Sequence, residues 1–337
     1  MLKRDYLLKM FFAAGLSLTL LGFSACRIEE LPPMTETPPQ DFETNPVILD
    51  EMRMIEEDTH SIQEDVPYRR MAAKFYLDCQ HYDERGFFKA VEQAAPYQVD
   101  GKFLAATSPH FLPAMSYTAN ILSTLAQEGS SECTIFVIAP DHSGEGLPLI
   151  VADRGWSTPF GYLDFDKEAT AAILKSPYLF DKIDIDLFHL QNDHSAATLM
   201  PFIKYYMPDA QVVTILLNGD CNLEQLQALA EIIHDTEQIK PVFVLASIDF
   251  SHYLHIIDTA KNDEVTNTLI QASNIQAIKN LDSGYMDSPE SMITLINYVT
   301  CFPDVKTEWQ EHIILAESEM KKDIGYSYST YIFYSRK

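Results

Sequence analysis

Basic residues are scarce in this chain. Among 337 residues there are 24 Lys and Arg against 49 Asp and Glu, a formal net charge of −25. Nucleic-acid binding rests on clustered Lys and Arg, and no basic stripe is visible, so that class of partner is set aside. Phosphate-cradling glycine loops are also missing: no GxxxxGK and no GxGxxG occurs, which removes support for nucleotide-triphosphate and dinucleotide readings. No GxSxG elbow surrounds any serine. Cysteine is sparse, at 5 residues, and their spacing matches neither CxxC nor a zinc ribbon. No apolar run reaches the roughly 20 residues that a membrane-spanning helix needs. There is no internal repeat.

What is present begins with an N-terminal targeting pattern over residues 1–25. Lys3, Arg4 and Lys9 form a basic region and Met10 to Phe23 an apolar one. Phe23-Ser24-Ala25-Cys26 then resembles a bacterial lipobox, although Leu is more usual at the first position. Cleavage before Cys26 and lipidation of its thiol are expected. That implies an exported protein of the bacterial cell envelope, held to a membrane through Cys26. Arg27, rather than Asp, after the cysteine favours the outer membrane. An oxidising compartment permits disulfides among Cys79, Cys133, Cys221 and Cys301. Cys133, however, opens a core strand and reads as simply buried.

Residues 26–66 are rich in Pro, Glu and Thr, with pairs at Pro32-Pro33 and Pro38-Pro39, and read as a tether. A helix is expected within it over Asp50–Glu64. Residues 67–337 then alternate strand and helix patterns. Strands are expected at Phe103–Thr107, Cys133–Ala139, Val212–Leu217 and Val242–Ser247, and a half-buried one around Tyr326–Phe333. Helices are expected at Ala114–Gln127, Lys167–Leu174, Ala196–Tyr206, Leu223–His234, Asp258–Gln271, Ile275–Asn280 and Ser288–Val299. This alternation implies a single α/β domain with a mostly parallel central sheet and helices on both faces.

Four segments end on histidine or aspartate: the run to His110, the run to His142, the Asn-Asp-His-Ser stretch around His194, and Val242 to His252. Ligand sites of open α/β sheets gather beyond the carboxyl ends of strands. Imidazole nitrogens and carboxylate oxygens there are suited to divalent iron, copper or zinc. His110, His142 and a group from the Asp249–His252 turn are the candidate ligands, with His194 a fourth member. Asp141-His142 and Asp193-His194 each set a carboxylate beside an imidazole. Neighbours on a strand point apart, so the partner of a ligating histidine is expected from another segment, such as Asp249. His255 reads as a surface residue. Ser143, Ser195 and Ser251 each adjoin one of these histidines and leave nucleophilic serine chemistry as a competing reading.

Taken in order, Ser-Pro-His110, Ala-Pro-Asp-His142, Ser157-Thr158-Pro159-Phe160-Gly161, Asp193-His194-Ser195 with Pro201-Phe202, and Ser247-Ile248-Asp249-Phe250-Ser251-His252-Tyr253 resemble the Memo family, known in bacteria as AmmeMemoRadiSam system protein B. The resemblance runs from Phe75-Tyr76 to near Leu281. It implies a fold similar to class III extradiol dioxygenases, His110 and His142 as metal ligands, and His194 as an acid/base group. Ser251 stands where animal members carry a cysteine ligand, which leaves Ser251, His252, Asp249 or water as the third donor. Phe111-Leu112-Pro113 and Tyr285-Met286-Asp287-Ser288-Pro289 depart from the family pattern and imply a different active-site wall.

The resulting expectation is a lipid-anchored protein binding one divalent metal, iron or copper. His110, His142, Ser251 and His252 are its candidate ligands, His194 its acid/base and Asp249 the group that orients a ligand. An oxygen-dependent, dioxygenase-like reaction or a hydrolytic one is compatible with that set. Two other readings use the same crevice: a non-catalytic module binding a peptide or small molecule, and a cell-surface metal-handling protein.

Overall fold

The computed structural model describes residues 76–129, 132–316 and 324–336. The targeting segment, Cys26, the tether and the helix expected over Asp50–Glu64 lie outside the described residues.

In chain order the elements are β1 (Tyr76–Asp78), α1 (Glu84–Glu92), β2 (Lys102–Ser108), α2 (Met115–Gln127), β3 (Thr134–Pro140), β4 (Leu149–Val151), β5 (Gly155–Thr158), β6 (Gly161–Leu163), α3 (Lys167–Leu174) and β7 (Ile183–Asp184). Then follow α4 (Leu187–Asn192), α5 (His194–Ala197), α6 (Met200–Tyr206), β8 (Gln211–Leu217), α7 (Leu223–Glu237), β9 (Val242–Ser247) and β10 (Leu254–His255). The chain continues through α8 (Ile256–Gln271), α9 (Ile275–Ile278), α10 (Pro289–Val299), β11 (Val305–Ala316) and β12 (Ile324–Ser335).

Among the described residues one sheet of nine strands runs β10-β12-β2-β9-β3-β8-β4-β7, with β11 also paired to β12. Its centre is parallel, as the helical crossovers require: Ala106 pairs with Leu245, and Val137 with Leu245 and Thr214. The flanks are antiparallel, β12 against β2 on one side and β4 against β8 on the other. A smaller sheet, β1-β5-β6, stands beside it.

Ile135 to Pro140 of β3 and Val242 to Ala246 of β9 are apolar without a break because both faces are covered. Every residue of β3 is buried. Phe136 and Ile138 turn toward one core with Leu229 and Ile233 of α7 and Met292 of α10. Ile135, Val137 and Ala139 turn toward the other, with Leu122 and Leu125 of α2 and Phe202 of α6. Burying each such side chain contributes about 1.5–3 kcal/mol. The same division explains a difference at the C-terminus. β12, expected to be half-buried, is buried from Ser327 to Ser335, because Tyr331 and Phe333 enter the first core while Ile332 and Tyr334 enter the second.

The helix expected over Ala196–Tyr206 is broken into α5 and α6. Pro201 lies in the first turn of α6, where it has no amide proton to give and its ring would collide with a carbonyl four residues back in a continuous helix. Strand β11 was not expected. Its Lys306-Thr307-Glu308 and Gln310-Glu311-His312 stretches are polar, as suits an edge strand with one neighbour. Cys79, Cys133, Cys221 and Cys301 are free thiols, and Cys133 is buried.

Candidate metal centre

The order β2-β9-β3 sets three adjacent parallel strands side by side, and each reaches its candidate residue two positions past its end: His110, Asp249 and His142. Asp249 therefore stands between the two histidines. His194 joins them from the first residue of α5. The imidazole centroids of His110 lie 5.1 Å from those of both His142 and His194, and the last two stack at 4.5 Å.

His110 is buried and fixed from both sides. Ser247 donates its hydroxyl proton to the carbonyl of Ser195 at 2.6 Å, so its oxygen accepts Nδ1–H of His110 at 3.0 Å. Once His110 has given up its second proton, that hydrogen bond favours the Nδ1–H tautomer and leaves a lone pair on Nε2, the atom a metal would use. Nε2 faces Asp287 Oδ2 at 3.2 Å and Asp249 Oδ2 at 3.4 Å, while the His110 amide donates to Asp249 Oδ1 at 3.1 Å. Burial pushes the imidazolium down, but the carboxylates of Asp249 and Asp287 outweigh it and raise His110 to about 9. Burial in turn pushes Asp249 up.

His142 is oriented by Asp193 rather than by Asp249. Asp193 Oδ1 accepts Nδ1–H of His142 at 3.0 Å and Oδ2 accepts its backbone amide at 3.0 Å, again leaving Nε2 with a lone pair. Asp193 Oδ1 also caps α5 through the Ser195 amide at 2.9 Å. Burial works against the ionised form of Asp193, yet these donors hold it well below the usual carboxylate range. His194 is pushed down to about 4 by burial and by its neighbours His110 and His142. It is therefore neutral at pH 7 and able to donate a lone pair or accept a proton.

Two residues singled out as third donors are not brought into the cluster. Ser251 is fully buried and gives its hydroxyl proton to Asp263 Oδ1 at 2.6 Å, which also accepts from Ser327 Oγ at 2.8 Å. Asp263 Oδ2 pairs with His312 Nε2 at 2.7 Å, so this carboxylate draws the Ser251 turn toward α8, β11 and β12. His252 Nε2 lies 3.9 Å from Asp249 Oδ2 and its ring packs beside Tyr253 and Tyr326. His255 is exposed and caps α8. The serine-nucleophile reading fails on geometry. Ser195 Oγ donates to the Pro140 carbonyl at 2.9 Å, Ser251 Oγ to Asp263, and Ser143 Oγ to Asp141 Oδ1 at 2.9 Å.

Asp287 is the site residue that sequence reasoning did not single out. An isolated bridge between Phe250 and Met286 brings it in, with Asp249 N–H on Asp287 Oδ1 at 3.1 Å and Asp287 N–H on the Asp249 carbonyl at 3.0 Å. Its Oδ2 is buried and meets the imidazole of His110, 3.2 Å from Nε2, so it adds a second carboxylate beside that ring. The only signal in the sequence was that Tyr285–Pro289 departs from the resembled pattern.

One ligand atom from each of His110, His142 and His194 lies within 4.8 Å of the other two, and the same holds for His110, Asp249 and Asp287. The imidazole and carboxylate donors thus fit a divalent transition metal. Phe111, from the other divergent segment, stacks on Tyr328 at 5.0 Å and forms part of the rim. A polar cavity of about 830 Å³ opens at the opposite, amino-terminal end of the parallel strands, around Arg154, Asp166 and Lys240, away from these histidines.

The family model described as "Memo-like protein" matches residues 69–326. A MEMO1 family protein of Pyrobaculum aerophilum is 27% identical over 181 residues, covering 52% of this chain and 62% of that protein. Another, from Methanosarcina mazei, is 28% identical over 227 residues, covering 64% and 76%. The chain thus spans less than two thirds of the length of the first of these relatives. The crystal structure of an uncharacterized protein of Escherichia coli K12 is matched at a TM-score of 0.42 and 9% identity, covering 69% of this chain and all of that one, a likeness too loose to carry an argument. The family model alone extends over well more than half of the sequence, and the chain belongs to the Memo family.

Proposed function

We propose that this protein holds one divalent metal, iron or copper, at the strand-end histidines, and that it does so in the bacterial cell envelope, anchored by lipid on Cys26. The observation that carries the metal reading is the pair of fixed tautomers. Ser247 accepts Nδ1–H of His110 and Asp193 accepts Nδ1–H of His142, which leaves Nε2 of each ring, once unprotonated, as the nitrogen for a metal beside His194. His110 and His142 would hold the metal, with His194 or a carboxylate from the Asp249–Asp287 pair completing the set.

A metal bound there supplies Lewis acidity and, for iron or copper, electron exchange with an oxygen-containing partner. The chain's residues do the rest. Asp249 and Asp287 receive the proton that His110 Nε2 carries when it is charged. Neutral His194 accepts a proton from a bound small molecule, the step that an oxygen-dependent or hydrolytic reaction needs from an acid/base group. The exposed rings of His142 and His194 leave the centre open to a small molecule or a peptide side chain. The basic and apolar stretches before the lipobox-like Cys26 support the envelope assignment. Among the described residues no helix is long and apolar enough to cross a membrane.

The test is metal content. The full chain, purified without chelator, is expected to carry near-stoichiometric iron or copper by mass spectrometry, and the His110→Ala, His142→Ala double variant to lose it. Equal occupancy in both proteins would sink the assignment.

A further inference from the structure

A second cluster lies behind His142. Asp141, at the end of β3, is buried, with a side chain only 1% exposed. Its two oxygens are treated very differently. Oδ1 accepts from Ser143 N at 2.9 Å, Ser143 Oγ at 2.9 Å and Gly144 N at 3.2 Å, and lies 2.7 Å from His189 Nε2. Oδ2 is buried with no partner at all. The turn at Ser143 and Gly144 accounts for the first oxygen and leaves the second unexplained. A carboxylate oxygen shut off from water and from every donor is costly unless a cation meets it.

Two further candidate ligands stand beside this carboxylate. His189 projects from α4, and Asp193 follows that helix directly. Asp193 Oδ2 takes only the His142 amide, at 3.0 Å, and keeps a free lone pair. One ligand atom from each of Asp141, His189 and Asp193 lies within 4.8 Å of the others. Ser143 Oγ, 3.2 Å from His189 Nε2, adds a neutral oxygen. The group is not a hydrolytic triad, because Asp141 and Ser143 meet the same ring nitrogen and the imidazole cannot relay a proton between them.

We propose that Asp141, His189 and Asp193 form a second divalent-cation site. Two carboxylates, one imidazole and a hydroxyl suit Zn(II), Mn(II) or Fe(II) and disfavour Cu(I), which seeks sulfur. The side chain of His189 is 17% exposed, which gives the cation and its remaining water ligands a way in. Asp193 touches both centres, ligating here while it orients His142 there. The proposal stands whether or not the strand-end histidines hold metal.

The experiment is zinc binding by the full chain, stripped of metal, dialysed against Zn(II) alone and measured by mass spectrometry. Wild type, His189→Gln, Asp141→Asn and His110→Ala are compared, with circular dichroism reporting the fold. His189→Gln and Asp141→Asn are each expected to bind one zinc fewer than wild type. His110→Ala lacks a strand-end ligand but leaves these three residues untouched, and adding His189→Gln to it should remove one further zinc. Binding equal to wild type in His189→Gln overturns the proposal, and so does a double variant that binds as much as His110→Ala. Should Asp141→Asn fail to fold, the partly exposed His189→Gln decides alone. Failure of the strand-end assignment reads differently: His110→Ala then binds as wild type while His189→Gln still loses one.

Discussion

Replacing Ser247 by Ala removes one hydroxyl and two hydrogen bonds at a fully buried position. The Ser195 carbonyl loses its donor at 2.6 Å, and Nδ1–H of His110 loses its acceptor at 3.0 Å. Each buried group left unsatisfied costs about 1–3 kcal/mol, so the metal-free protein should lose about 2–6 kcal/mol in denaturant unfolding. The larger consequence concerns metal. With Ser247 gone, no acceptor holds a proton on Nδ1 of His110, while Asp249 and Asp287 still favour one on Nε2. The ring then spends more of its time in a form that cannot ligate. Loss of such an orienting partner lowers metal affinity about 10–100-fold. Competition between the protein and a chromophoric chelator for Fe(II) or Zn(II) measures this directly. A strand-end affinity within about twofold of wild type, measured in a His189→Gln background where His110→Ala abolishes binding, would refute the tautomer argument.

Other expectations follow from the same contacts. Ser251→Ala should leave metal occupancy unchanged and cost about 1–2 kcal/mol of stability, since the hydroxyl serves Asp263; a loss of metal would return Ser251 to the ligand set. Asp193→Asn should destabilise the metal-free protein at neutral pH. Asp193 has a lowered folded-state pKa, so its contribution is complete above the unfolded carboxylate value and is lost as pH falls below about 4; the difference in Tm between wild type and variant should narrow there, and a gap independent of pH would contradict it. Cys26→Ser should shift the protein from the membrane to the soluble fraction of its bacterial host, whereas an unchanged membrane fraction would argue against lipidation of that thiol.

Much of the fold was legible one strand at a time. Val242–Ser247 and Cys133–Ala139 are apolar without alternation, and only a strand covered on both faces has reason to be so. A histidine or aspartate two residues past such a strand then belongs to the carboxyl edge of the sheet, which is why His110, His142 and Asp249 were identifiable before any coordinates. β11 was not, because an edge strand with one neighbour keeps a polar sequence that local pattern does not separate from a loop.

Partnership was decided by tertiary structure alone. Asp193 lies 51 residues from His142 and Asp287 lies 38 from Asp249, distances at which sequence carries no trace of contact. Ser251 illustrates the converse: it stands two residues after Asp249 in sequence, yet Asp263 on α8 claims its hydroxyl and turns it away. Periodicity and strand ends are local properties, written by which faces of each segment must be buried. The tautomer of an imidazole, the charge of a buried carboxylate and the choice between ligand and structural hydroxyl depend on which distant donor or acceptor the packed core brings within about 3 Å.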